Sequence, residues 1–198
     1  MNDVTHLGIY DIPMMSNIPN LVYLAPTTYE EYIAMLDWST EQREHPVAIR
    51  VPGAVIHGEK PTKDYGILNK YETVQKGSGA AIIALGTFFS MGKQAAELIE
   101  KKTGVKPTLI NPVYITGIDE ELLESLKKDH KAVVTLEDGI LDGGFGEKIA
   151  RFYGDSDMRT VNFGLKKEFL DRYDANEVLR QNGITPEQIA DRAAELVK

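Results

Sequence analysis

Apolar positions fall into short dense runs, and between them lie longer stretches whose apolar residues recur every three or four positions. A short apolar run bounded by turn residues reads as a buried strand, and a longer periodic stretch as a helix with one apolar face. On that basis strands are predicted at Leu21–Ala25, Val47–Val51, Ala80–Leu85, Thr108–Ile110, Ala132–Leu136 and Thr160–Phe163. The first helix is expected to open at Thr27, with Glu30 at capping-box spacing and Tyr29, Tyr32, Ile33 and Leu36 on one face. Further helices are predicted over Phe88–Lys102, ended by Gly104, from Asp119 through Lys128, and from about Phe145 to Phe152 after a glycine-rich turn. Two terminal helices follow. The last has Thr185 as its cap and Pro186 at its first position, with Ile189, Ala193, Leu196 and Val197 facing one way.

Residues Met1–Asn20 show no sustained period and read as an extended loop. From Ala54 to Gly79 the pattern fades again, over roughly 25 residues, which is long for a connection inside one domain. The expected division is therefore a first unit at 1–53, a linker at 54–79 and a second domain at 80–198. Alternating strands and helices in the second domain imply an α/β fold: a mostly parallel sheet covered on both sides, in three layers. The first unit supplies only a strand, a helix and a strand, too little to bury a core of its own. It must pack on the second domain, or its missing part lies in another chain or was cut away.

Composition narrows the field. Of 198 residues, 42% are hydrophobic and 26% charged, as in an ordinary soluble globular protein. Net charge is −8 and the basic residues are scattered, so no stripe suits nucleic acid. There is no cysteine, which excludes thiol nucleophiles, disulfides and cysteine-ligated metal. Ala80–Leu85, the longest apolar stretch, is too short to cross a bilayer. No secretory signal is visible, and a cytoplasmic protein is expected.

Several stretches carry a resemblance in order and spacing. Thr5-His6-Leu7-Gly8-Ile9-Tyr10-Asp11, Ile18-Pro19-Asn20, Ala25-Pro26-Thr27 and Val47-Ala48-Ile49-Arg50-Val51-Pro52 lie in the first unit. Ala84-Leu85-Gly86-Thr87, Thr135-Leu136-Glu137-Asp138, Gly143-Gly144-Phe145-Gly146 and Asn162-Phe163-Gly164-Leu165 lie in the second. Together they resemble the C-terminal third of the 1-deoxy-D-xylulose-5-phosphate synthases, thiamine-diphosphate enzymes of the transketolase type. The resemblance implies the tail of a pyrimidine-binding α/β domain followed by a whole transketolase-type C-terminal domain. The complete enzyme joins pyruvate to glyceraldehyde 3-phosphate with loss of carbon dioxide, using thiamine diphosphate and magnesium, and the hard chemistry belongs to the cofactor. Domains that hold the diphosphate and activate the cofactor are not in this sequence. The chain is thus expected to bind no cofactor or metal alone and to be inactive alone. It would need missing N-terminal domains or a partner subunit, with homodimer contacts through the C-terminal domain. A non-catalytic interaction module, or the same region of a transketolase or 2-oxo acid dehydrogenase, are the alternatives.

Residue by residue, the resemblance points to His6 as catalytic, because a near-neutral imidazole can donate to a developing alkoxide or shuttle a proton. Arg50 matches an arginine able to clamp a carboxylate or phosphate bidentately, with a structural ion pair as the competing reading. Asn2 or Asp3 stands near the place of a family aspartate. Gly53 replaces a second arginine that grips the acceptor phosphate, a loss worth about 2–3 kcal/mol of phosphate recognition. Leu7 replaces a glutamine, and Arg172-Tyr173 a His-Gly pair, so the acceptor is left open. Glycines 143, 144 and 146 could offer backbone N–H groups to an anion, though close packing is the favoured reading. Glu137 and Asp138 look like an acid–base pair and are assigned to structure.

Overall fold

The computed structural model describes residues 7–51, 53 and 55–197. In chain order the elements are α1 (Asp11–Met15), β1 (Val22–Leu24), α2 (Tyr29–Glu41), β2 (Val47–Ile49), β3 (Glu72–Gln75) and β4 (Gly79–Ala84). A 3-10 turn (Gly86–Phe88) leads into α3 (Phe89–Thr103). There follow β5 (Thr108–Asn111), α4 (Glu120–Leu126), β6 (His130–Ile140), α5 (Phe145–Tyr153), β7 (Arg159–Leu165), α6 (Ala175–Gln181) and α7 (Pro186–Val197).

Five strands form the main sheet in the order β3-β5-β4-β6-β7. All neighbours run parallel except the edge strand β3, which is antiparallel to β5. Side chains alternate across a strand, so β4 and β6 feed two separate cores. Ile82, Ala84, Val134 and Leu136 point to one face, where Ala95, Ala96 and Ile99 of α3 and Ile189, Ala190 and Ala193 of α7 cover them. Ala81, Ile83, Leu85 and Val133 point to the other, under Leu123 and Leu126 of α4 and Phe145, Ile149 and Tyr153 of α5. That is the three-layer α/β/α domain expected. No helix among the described residues is long and apolar enough to cross a membrane.

The first unit is not self-sufficient. Its strands β1 and β2 make a two-stranded parallel sheet, and such a pair is too small to stand alone. Val22, Leu24 and Met35 bury themselves against Val113 and Tyr114, in the segment after β5. Ala25 N–H donates to the Val113 carbonyl at 2.8 Å and Ile115 N–H to that of Tyr23 at 2.7 Å. To reach this position the chain turns sharply: Tyr114 N–H bonds the Pro112 carbonyl at 2.6 Å, and Val113 sits at φ 63°. A β-branched residue with positive φ is strained. The strain sits at the junction of the two units.

Four expectations need correcting. The stretch read as a loop contains α1, whose Ile12 is fully buried. The connection 54–79 contains β3, whose half-exposed residues give no apolar signal. The cap of α2 is Thr28, whose side chain accepts from Glu31 N–H at 3.1 Å. Glu31 then reaches back to Thr27 N–H at 2.7 Å, one position later than the Thr27/Glu30 box. With that shift the buried face of α2 becomes Glu31 and Met35, while Tyr29 and Leu36 are 46% and 39% exposed.

Asp119 holds the end of the connection against α4. It caps Leu122 N–H at 3.2 Å and accepts Tyr71 N–H at 3.1 Å. Asp119→Ala is expected to lower unfolding free energy by about 1–2 kcal/mol in urea denaturation, and a loss within experimental error would count against both bonds.

Candidate functional site

Parallel strand order reverses between β4 and β6: the chain moves from β4 outward to β5, then crosses back past β4 to β6. In open α/β sheets, ligands bind in the crevice beyond the carboxyl ends of the strands at this switch point. Here a cleft of about 460 Å³ lies there, lined by Gly86 and Thr87 after β4, Asp138 of β6, and Gly8, Asp11 and Arg50 from the first unit. Five of the eight motifs thus converge from distant parts of the sequence on one place.

Arg50 is at its centre, with a side chain 16% exposed. Its Nε donates to Asp11 Oδ2 at 2.6 Å and one Nη to Asp11 Oδ1 at 3.3 Å, a bidentate clamp. The same Nη donates to the Gly8 carbonyl at 2.8 Å, and the other Nη pairs with Asp138. Asp138 also accepts the Thr87 hydroxyl at 3.0 Å, and Asp11 accepts that of Tyr23. Burial alone raises the Asp11 carboxyl, but Arg50 outweighs it and the net direction is down. Most of the guanidinium's five N–H donors are therefore spent within the chain. Sequence reasoning found Arg50 and its ion-pair alternative. It missed Asp11 and Thr87 as partners, because nothing local links residues so far apart in sequence.

Glu137 faces the other way from its neighbour Asp138 and is fully buried. Its carboxylate accepts Phe145 N–H and Gly146 N–H, each at 2.8 Å, at the start of α5. The glycine-rich turn does present N–H groups to an anion, and the anion is this chain's own. Close approach fixes the glycines: a Cβ on Gly144 would lie 2.6 Å from Glu137 Oε2, and one on Gly146 2.5 Å from Thr135 Oγ1. Burial pushes the Glu137 carboxyl up to about 7, against the pull of those two N–H groups.

Among the described residues, apart from its chain neighbours, nothing lies within 4 Å of where a Cβ on Gly53 would sit. His6, Asn2 and Asp3 lie outside the described residues. Among the described residues no three His, Asp or Glu side chains group to hold a metal. Arg50, the one cation among the described residues of the cleft, is already paired. The described residues of the cleft do not fit a diphosphate–magnesium group.

Layers, strand order and the switch-point cleft define an α/β/α domain of the transketolase C-terminal class. The family "Transketolase, C-terminal domain" matches residues 69–189. The chain belongs to that family. It is 31% identical over 196 residues to 1-deoxy-D-xylulose-5-phosphate synthase of Clostridium tetani (strain Massachusetts / E88), covering 98% of this chain and 31% of the relative. With the synthase of Clostridium perfringens (strain SM101 / Type A) it is 34% identical over 199 residues, covering 98% and 32%. The chain thus spans about a third of the length of these curated relatives. Among solved structures, one described as "Split gene transketolase, inactive beta4 tetramer" superposes with a TM-score of 0.83 at 22% identity, over 98% of this chain and 64% of that one. A transketolase mutant from Pichia stipitis superposes at 0.73 and 19% identity, over 98% and 28%. At these identities the structures confirm the fold alone.

Two outcomes follow from the geometry. Arg50→Met strands two carboxylates and is expected to cost about 2–3 kcal/mol in chemical denaturation, below the range for fully buried pairs because the site is partly open. The share of Asp11 is present above its ordinary value of 3.8 and lost as pH falls through its lowered folded value; Arg50→Met should flatten that acid limb. For Glu137 the folded value is raised, so its contribution is full below 4.5 and declines as pH climbs through about 7. Glu137→Gln should remove that slope in melts run across this window, and an unchanged slope would mean the carboxyl is not the group titrating.

Proposed function

We propose that this chain supplies the C-terminal part of a thiamine-diphosphate transferase of the transketolase type, acting with domains outside it. The default reaction is that of the synthases it resembles, carboligation of pyruvate with glyceraldehyde 3-phosphate and loss of carbon dioxide. Its strongest support is the collinear likeness to synthase C-terminal thirds, 98% of this chain against 31% of the relative. An incomplete two-stranded sheet with half-buried strand β2 agrees with a first unit completed by other strands. The split-gene neighbour, whose description calls it inactive, supports a chain that folds without its catalytic partner; that description also names a tetramer, in keeping with self-association through the C-terminal domain.

In this reading His6 is the catalytic residue that serves the reacting carbonyl, and Asn2 or Asp3 contributes to substrate binding. Arg50 serves the site by fixing the Gly8–Asp11 segment that follows His6 at the ends of β4 and β6. Gly53 stands where the resemblance puts a phosphate clamp, so the acceptor aldehyde is left open. We place the activity in the cytoplasm, in keeping with a chain that has no cysteine.

The test mixes the purified chain with a polypeptide carrying the N-terminal domains and measures pyruvate-dependent carboligation. Turnover is expected in the mixture only, with no thiamine-diphosphate binding by the chain alone in calorimetry. A rate no greater than that of the partner alone would favour a non-catalytic interaction module. Turnover of an α-keto acid by the chain unaided would refute the proposal.

A further inference from the structure

A second concavity, of about 310 Å³, lies at the other end of α1 from Asp11. Ser16 and Asn17 face Thr116 and the first turns of α5 across it. Lys148 and Arg151, one helical turn apart, both line it. Glu147, the one carboxylate among the lining residues, is engaged by Gly143 N–H at 2.9 Å. The lining carries two cations against that one carboxylate, a net excess of one positive charge on a protein whose net charge is −8.

Side chains in this cleft have donor capacity to spare among the described residues. The Ser16 side-chain oxygen is buried and has no hydrogen-bond partner among the described residues, and the residue is only 8% exposed. Buried hydroxyls are almost always satisfied, so an orphan of this kind points to a partner that belongs there. Lys148 is half-buried and gives one N–H to the Ile115 carbonyl at 2.8 Å, which leaves its other two ammonium protons unused. Arg151 is exposed and lines the same cleft. Burial holds the Lys148 ammonium down to about 8, with Glu137 pulling it up and Arg151 pushing it down. A half-buried ammonium that is opposed by a neighbouring guanidinium is relieved by an anion between them.

We propose that this cleft binds a phosphate-type oxyanion, either inorganic phosphate or the terminal group of a small phosphomonoester. Lys148 and Arg151 supply the charge, and the Ser16 hydroxyl donates. The glycine turn contributes shape alone, because its Phe145 and Gly146 N–H groups are committed to Glu137. Ser16 closes the same five-residue helix that Asp11 opens, so an occupant touches the element that holds Arg50. The site is independent of the catalytic reading and is tested without it.

The chain is titrated with inorganic phosphate, glycerol 3-phosphate and glycerol, followed by amide NMR and calorimetry. Saturable binding of the two phosphates at about millimolar Kd or tighter is expected, and none of glycerol. Arg151→Ala, an exposed position that does not threaten the fold, and Lys148→Met should each weaken binding about tenfold or more. Ser16→Ala should weaken it too, while leaving the melting temperature of the unliganded protein unchanged or higher, since it removes an unsatisfied hydroxyl. Tighter binding of glycerol 3-phosphate identifies a phosphomonoester, and equal binding identifies the free ion; both uphold the site. No saturable binding at about 10 mM, or binding that Arg151→Ala leaves untouched, overturns it.

Discussion

One guanidinium joins the two halves of this molecule. Arg50, at the end of the small sheet, draws together Asp11 of the N-terminal segment and Asp138 of the large sheet. Arg50 is clamped to Asp11 within the first unit, and its bond to Asp138 carries that pair across to the large sheet; removing one member of such a pair costs more than forming it gains. The apolar counterpart is the packing of Val22, Leu24 and Met35 against Val113 and Tyr114. A second polar anchor is Glu31, which accepts Asn111 Nδ2 at 3.1 Å. Geometry at the junction is thus over-determined, and that is how the strained backbone of Val113 persists.

Strand β6 is the element that makes this possible. Successive residues on a strand point to opposite sides, so Glu137 caps α5 while Asp138, next to it, meets Arg50. The crevice where α/β sheets usually receive a ligand is used here to dock the neighbouring part of the same chain. On the function proposed above, a domain built this way contributes by positioning a segment, rather than by offering a free cation of its own. Family membership and the incomplete first sheet agree with that division of labour.

Much of the large domain could be read from the residues alone. Dense apolar runs gave β4, β5, β6 and β7, and the caps Asp119 and Thr185 with Gly104 marked helix ends within a residue or two. These signals are local. What escaped was set by contacts distant in sequence. Edge strand β3 has no apolar pattern, since only one side of it is paired. Helix α1 is too short to show a period, and is held by Ile12 in a core built elsewhere. The face of α2 was misjudged because a buried carboxylate, Glu31, counts as polar in any pattern. At the site, Arg50 was found through resemblance, whereas its partners Asp11 and Thr87 became visible only in three dimensions. For the glycine turn, close packing was the favoured reading and close approach is what Gly144 and Gly146 show; that Glu137 accepts N–H groups there was not legible.

The central claim is that Arg50 is energetically coupled to carboxylates in both halves. A double-mutant cycle between Arg50→Met and Asp138→Asn, read by denaturant unfolding, tests it most directly. The account predicts a coupling energy of about 1–3 kcal/mol. Additive effects, agreeing within about 0.5 kcal/mol, would mean that the Arg50–Asp138 pair contributes nothing to holding the two halves together.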